Sequence, residues 1–265
     1  MPPIIPVMWA LALRTFLLTL GLAMAAAAAC AQVRPFWRVC VTDLVAPPYL
    51  YNDPDRLGIA ERLLVDAGRE AGLDVALLRV PPRRCRTAIE SNEAHAVLLS
   101  PAAEVQTRYF FPLTRDGALD ASRRLASINF MWIKRRDTPF AWDGKQLSGG
   151  EAGVVPTVGT RVSVRLAIEQ LGALGLNVDD SALSTRQLLL KVAAKRVDLG
   201  VAIREEVDYL MSDPAVESLV MLDKPLSRTE MYLAVPKQAE AERRQQAEAW
   251  WTAIGRLRGR PEYRK

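Results

Sequence analysis

The chain of 265 residues carries 35 lysines and arginines against 30 acidic residues, a net charge of +5, and half of its residues are hydrophobic. The cations are spread along the sequence rather than clustered with aromatics, which argues against a nucleic-acid surface. Beyond the first thirty residues no apolar run reaches the ~18 residues that a membrane-spanning helix needs.

The N-terminus reads as an export signal. Arg14 precedes an apolar run over residues 15–24, and an alanine tract follows that ends Ala29-Cys30-Ala31-Gln32. Small residues at Ala29 and Ala31 match the A-x-A pattern of signal peptidase, predicting a signal peptide over residues 1–31, cleavage before Gln32 and a periplasmic location. One alternative is an uncut anchor over residues 9–31, but its second half is nearly all alanine, which partitions weakly into hydrocarbon. Another is lipidation of Cys30, although Ala27-Ala28-Ala29 lacks the leucine usual three residues before a lipoprotein cysteine. Removing 31 residues and the single charge of Arg14 from the 265-residue, +5 chain leaves 234 residues with a net charge of +4. That length permits one large domain or two small lobes, each able to bury a core. Two cysteines remain, Cys40 and Cys85. They are either a disulfide, which an oxidising compartment favours, or two buried thiols.

In chain order, residues 38–42 (Arg-Val-Cys-Val-Thr) predict a first strand, ended by Ala46-Pro47-Pro48-Tyr49. Turn chemistry follows at Asn52-Asp53-Pro54-Asp55. A helix is expected from Gly58, with Ile59, Leu63, Leu64, Ala67 and Ala71 on one side and Gly72 as its stop. Residues 74–80 predict a second strand halted by Pro81-Pro82, residues 86–92 a short helix, and Ala96-Val97-Leu98-Leu99 a buried third strand. This βαβαβ series implies a parallel sheet with right-handed crossovers and helices on both faces. Ligands then belong beyond the C-terminal strand ends, where residues 47–49 and 100–103 fall.

A second series begins with a strand at Phe130-Met131-Trp132-Ile133 and a turn at residues 142–145. Gly153-Val154-Val155 predicts a short strand leading through Gly159-Thr160 into a helix that reaches Leu174. Ser184-Thr185-Arg186-Gln187 is a capping box opening a helix that carries Leu188, Leu189, Val192 and Ala193. A buried strand over residues 197–203, a short helix over 205–211, a strand over 231–235 and a long helix over 240–257 complete the chain. Trp250 and Trp251 on that last helix point about 100° apart, which leaves room for one to be exposed.

An ordered set of short matches runs through the mature chain: Val39-Cys40-Val41-Thr42-Asp43, Pro47-Pro48-Tyr49, Gly58, Pro82 with Arg84-Cys85, Ala96-Val97-Leu98-Leu99, and Arg108 followed by Pro112. Asp143-Gly144-Lys145, Leu174-Gly175-Leu176-Asn177-Val178-Asp179 and Arg196-Val197-Asp198 continue it. In this the chain resembles the family 3 extracellular solute-binding proteins, the amino-acid-binding type of ABC-transporter receptor. The resemblance implies an α/β, two-lobed periplasmic-binding-protein fold of type II. Each lobe would be a mostly parallel sheet flanked by helices, with crossover hinge strands joining the two. Lobe one would be residues 32–127 with 230–265 returning to it, and lobe two residues 128–229. Ligand would sit in the cleft and be buried by hinge closure.

The resemblance places Arg108 as the clamp of a ligand carboxylate, a role that suits the planar guanidinium fork. The threonine expected three residues earlier is Val105 here. Tyr49, after two prolines, would stack on or cap a ligand, and Ser100 would supply a hydroxyl. Thr157, Gly159 and Thr160 are read as preceding a helix whose free amides favour anions, with ordinary capping as the competing account. Where amino-acid binders commonly place an aspartate for the ligand ammonium, six residues after Asp198, this chain has Arg204. Glu205 is adjacent, but a one-residue slip on a strand end reverses its facing. Arg108 in one lobe and Arg204 in the other make an organic acid the expected alternative to an amino-acid-like solute. His95, the sole histidine, has no metal-like spacing of partners around it and reads as structural or exposed.

The expected function is therefore capture of a small polar or anionic solute by a monomeric, non-catalytic receptor for delivery to an ABC permease. No cofactor, metal or nucleic acid is expected. The alternative is a sensing module acting on a membrane signalling protein, and a more distant one is an exported cell-wall lytic enzyme on the same scaffold, since fold does not fix function.

Overall fold

A computed structural model describes residues 33–43, 45–162 and 164–263. The predicted export signal, with Arg14, Cys30 and the cleavage point before Gln32, lies outside them. Residues 33–35 are exposed and belong to no regular element.

Strand β1 (Phe36–Thr42) pairs in parallel with β2 (Asp74–Val80) on one side and β3 (Ala96–Leu99) on the other. Parallel neighbours need crossovers, and helices α1 (Ile59–Glu70) and α2 (Pro82–Glu90) supply them. Helix α1 buries Leu63, Leu64 and Ala67 of the predicted face together with Ala60, with Ile59 and Ala71 half-buried, and Glu61 Oε2 accepts the Gly58 amide at 2.8 Å to close its first turn. Helix α2 starts at Pro82 rather than at the predicted residue 86. A proline at the first helical position has no amide to lose and already holds helical φ. Cys40 of β1 and Cys85 of α2 form a disulfide with a Cα–Cα distance of 5.6 Å.

Helix α3 (Ala103–Arg108) and the two-residue β4 (Tyr109–Phe110) lead to β5 (Ala126–Arg135), which is longer than the predicted core at residues 130–133. A small hairpin of β6 (Ala141–Trp142) and β7 (Leu147–Ser148) turns on Asp143, whose Oδ1 accepts the amides of Lys145 and Gln146. Then come β8 (Thr157–Arg161), α4 (Arg165–Ala173), β9 (Asn177–Ala182), α5 (Thr185–Ala193), β10 (Leu199–Ile203) and α6 (Arg204–Leu210). The 18-residue strand β11 (Leu219–Pro236) and helix α7 (Ala241–Leu257) close the order.

The sheet order β2-β1-β3-β11-β5-β10-β8-β9 divides at the antiparallel pair β5–β11. The far end of β11 joins β3 through Tyr232–Leu99 and Ala234–Val97, while its start stays beside β5, which in turn carries β10. Each half has its own two apolar clusters. On β1, Trp37, Val39 and Val41 enter one cluster and Cys40 the other, as alternation along a strand requires. On β10, Leu199 and Val201 face one cluster of the second half and Ala202 the other. The architecture is two α/β lobes sharing two crossover strands.

Three sequence expectations are corrected. Residues 153–155 form no strand; the strand lies at β8, and Gly159 and Thr160 are within it. Strand β9 was not foreseen, because Asn-Val-Asp-Asp-Ser-Ala has poor strand propensity and is held by parallel pairing with β8. Both Trp250 and Trp251 are buried, and their indole N–H groups donate to the carbonyls of Leu64 and Leu233. The capping box at Ser184 forms, with Oγ accepting the Gln187 amide. The Gln187 side chain reaches the amide of Leu183 rather than that of Ser184.

Candidate functional site

The C-terminal ends of the parallel strands of both lobes face one another, the edge where open α/β sheets bind ligands. Asp43 follows β1 and Pro81-Pro82-Arg83 follow β2. From the other lobe come Arg161 and Val162 at the end of β8 and Leu183 after β9. Together they wall an outer cavity of about 390 Å³. Arg83 and Arg161 make it cation-rich, with Asp43 as its one acid.

An inner cavity of about 120 Å³ lies where the crossover strands meet both lobes. Tyr49, Leu50 and Ala60 wall it from the first lobe, Ile203, Glu205 and Glu206 from the second, and Ser127, Ile128 and Met231 from β5 and β11. Its lining is chiefly hydrocarbon, with two glutamates and no lysine or arginine. Glu205 is 6% exposed and Glu206 3%. Glu206 accepts a hydrogen bond from the Thr185 hydroxyl and lies 3.5 Å from Arg161 Nη1, while its Oε1, sealed from solvent, has no hydrogen-bond partner. Burial pushes the Glu206 carboxyl above the usual carboxylate range, with the Glu205 charge adding to the shift and Arg161 and Thr185 opposing it. Burial also raises the Tyr49 phenol, and the negative charge of Glu205 across the cleft raises it further.

Among the predicted residues, Tyr49 is in the inner cavity. Arg108 lines an adjoining cavity of about 160 Å³ in the first lobe, which shares Thr42 and Leu98 with the inner one and also has Cys85, Arg86 and Leu99 in its walls, and its guanidinium is 3.5 Å from Glu104. Ser100 lies outside these linings, and its carbonyl accepts the Ala102 amide. Thr157, Gly159 and Thr160 are not at a helix N-terminus as expected. Thr157 donates its amide to Asp198, and Thr160 donates its buried hydroxyl to the Val201 carbonyl. Gly159 meets α5 so closely that a Cβ would stand 2.6 Å from Leu188 Cδ1. Arg204 turns to the Met131 sulfur at 3.6 Å, and it lines none of these three cavities, Arg108's included.

The residues that the sequence did not single out are Arg161, Arg83 and Glu206, and Glu205 was set aside. The strand ends at Ile203 and a helix starts at Arg204, within one residue of the predicted boundary, so strand alternation does not set the facing of Glu205. Successive helical side chains turn by about 100°, so Glu205 and Glu206 both reach the cavity while Arg204 turns away. His95 is structural: its Nδ1 accepts the Arg38 amide at 3.0 Å, with Phe36 and Trp37 edge-on to the ring. Among the described residues there is no cluster of His, Cys, Asp and Glu arranged to hold a metal.

No family model matches the chain, and no curated protein does. Solved structures do. The amino acid ABC transporter substrate-binding protein AbpA of Streptococcus pneumoniae, bound to L-arginine, superposes with a TM-score of 0.64 at 13% identity, covering 86% of this chain and 91% of that one. The GluR0 ligand-binding core of Nostoc punctiforme, in complex with L-glutamate, gives 0.62 at 14%, covering 86% and 95%. The periplasmic VFT2 domain of Bordetella pertussis BvgS gives 0.61 at 17%, covering 84% and 88%. The fold is the two-lobed periplasmic-binding-protein fold.

Proposed function

We propose that this two-lobed chain is a solute receptor that captures a small polar molecule in the interlobe cleft and presents it to a membrane partner. The observation that carries this is the composition of the cavity walls. Asp43 and Arg83 of one lobe face Arg161 and Leu183 of the other, and Tyr49 faces Glu205, so a ligand there touches both lobes at once. Such a ligand favours the closed arrangement by its differential affinity, and the β5–β11 crossover pair is where the hinge would lie. The reading divides the chain into residues 32–127 with 230–265 and residues 128–229. It takes the mature protein as an exported, periplasmic, non-catalytic monomer.

An ABC permease is the partner that fits the likeness to AbpA. A membrane sensor is the second reading, favoured by the equally extensive superposition on the BvgS domain. Native mass spectrometry of the protein purified from the periplasm tests the main reading. A co-purifying small molecule, lost on unfolding, supports it. An empty protein that no small polar solute stabilises would sink it. An intact mass that begins at Gln32 supports release by cleavage, and an acylated mass that begins at Cys30 supports tethering.

A further inference from the structure

The inner cavity carries a charge imbalance that specifies a ligand class. Two buried glutamates line it, one guanidinium stands beside them, and that guanidinium, Arg161, is paired with Glu206 and lines the outer cavity rather than the inner one. Arg161 answers Glu206 alone, so Glu205 has no cationic partner in the lining, and Glu206 Oε1 is a buried polar atom without a hydrogen-bond partner. A buried, unmatched carboxylate is costly to hold, and a cation donating hydrogen bonds is what removes that cost. The other walls are hydrocarbon, with Leu50, Leu98, Ile128, Ile203 and Met231 around the glutamates.

We infer that the inner cavity binds a small organic monocation, a primary ammonium on an apolar body, and not an α-amino acid. This rests on the receptor reading above and names its ligand class. The ammonium sits between Glu205 and Glu206, with the Tyr49 hydroxyl near the same group. The alkyl body lies on Leu50, Leu98 and Met231. The volume of about 120 Å³ equals roughly four waters at ~30 Å³ each, which suits a chain of four or five carbons. An α-carboxylate on the same carbon as the ammonium would enter a lining with two acids and no cation. Like charges in a desolvated site repel, so the amino acid is disfavoured against the amine of equal chain length. Arg108, the residue the resemblance assigns to a ligand carboxylate, is not among the inner cavity's walls and lines the adjoining cavity beyond Thr42 and Leu98.

The test is calorimetric titration of the full mature chain, stripped of co-purified solute, with 1-pentylamine, with norleucine (the same chain bearing an α-carboxylate), with hexanoate and with glutarate. Pentylamine is expected to bind at least 10-fold more tightly than norleucine, and hexanoate and glutarate to give no heat at the same concentrations. Glu205→Gln is expected to weaken pentylamine at least 10-fold with a melting temperature of the solute-free chain no lower than the parent's, since it removes an unmatched buried carboxylate. Glu206→Gln, which also disturbs Thr185 and Arg161, is read only if it folds. Norleucine binding as tightly as pentylamine, or a Glu205→Gln variant that binds pentylamine as well as the parent, overturns the inference. Binding of glutarate or norleucine alone overturns it and leaves the receptor reading standing. A chain that binds none of the four and carries no native solute overturns both.

Discussion

Gly58 lies so close to the Tyr49 carbonyl that a Cβ on it would stand 1.9 Å from that oxygen. The contact is held from both sides, because the Ile59 amide donates to Pro48 and the Ala60 amide to Tyr49 itself. It fixes the loop that brings Tyr49 to the inner cavity against the start of α1. Gly58→Ala must push the two apart and is expected to cost about 1–3 kcal/mol, the range for overpacking. Urea unfolding measures that loss, and retention of native solute in mass spectrometry should fall with it. A stable variant that keeps its solute would show the approach to be unimportant.

The Cys40–Cys85 disulfide closes a loop of sequence separation 45 between the first strand and α2. The chain-entropy model gives roughly 4 kcal/mol for a loop of this size. The Cys40→Ala/Cys85→Ala double variant should lose about that much in urea unfolding. Its m-value should rise as well, because the unlinked chain exposes more surface.

Trp250 is fully buried, donates to the Leu64 carbonyl at 2.9 Å and stands edge-on to Trp37 at 5.5 Å between ring centroids. It fastens the returning helix α7 to the first lobe. Trp250→Ala is expected to cost about 3–5 kcal/mol, the range for deleting a buried aromatic. Trp250→Phe keeps most of the packing and loses the hydrogen bond, so a cost nearer 1 kcal/mol is expected. Thermal unfolding of the two variants side by side checks the ranking.

Asp179 accepts from the Lys191 ammonium and from Ser181, and these bonds hold its carboxyl down to about 2, against an ordinary value of 3.8. The unfolded chain therefore takes up this proton at a higher pH than the folded one. The contribution to stability is complete above pH 4 and is lost as pH falls through 2. Asp179→Asn should flatten the acid limb of the melting curve over that window and change little at pH 7 in its slope.

Glu206 has the opposite sign. Its folded carboxyl is raised by burial, so the folded protein keeps a proton that the unfolded chain releases near its ordinary value of 4.5. Stability then declines as pH rises from 4.5 towards the raised folded value and levels off above it. Glu206→Gln should remove that decline, whatever its effect on absolute stability. Melting temperature measured from pH 4.5 to 8 on both proteins gives the comparison.

Much of this protein is determined by its sequence read locally. The apolar run at residues 96–99, the periodic face of residues 59–71 and the prolines that stop strands each act through near neighbours. These elements stand where the spacing put them; the order of strands and helices gave the α/β class, and the two-lobed architecture came from the family resemblance. What only the tertiary structure decided depends on partners distant in the chain. Strand β9 exists because β8 pairs with it, not because its polar residues prefer extension. Thr160 is a core hydroxyl because Val201 is opposite. Which charged side chains at the start of α6 enter the cavity depends on how it packs between the lobes: Glu205 and Glu206 line the cavity, whereas Arg204 lies against Met131. A change from strand to helix at a single residue shifts side-chain direction from 180° to 100° per step. The charge of the inner cavity follows from how that helix start packs against both lobes, which no local pattern sets.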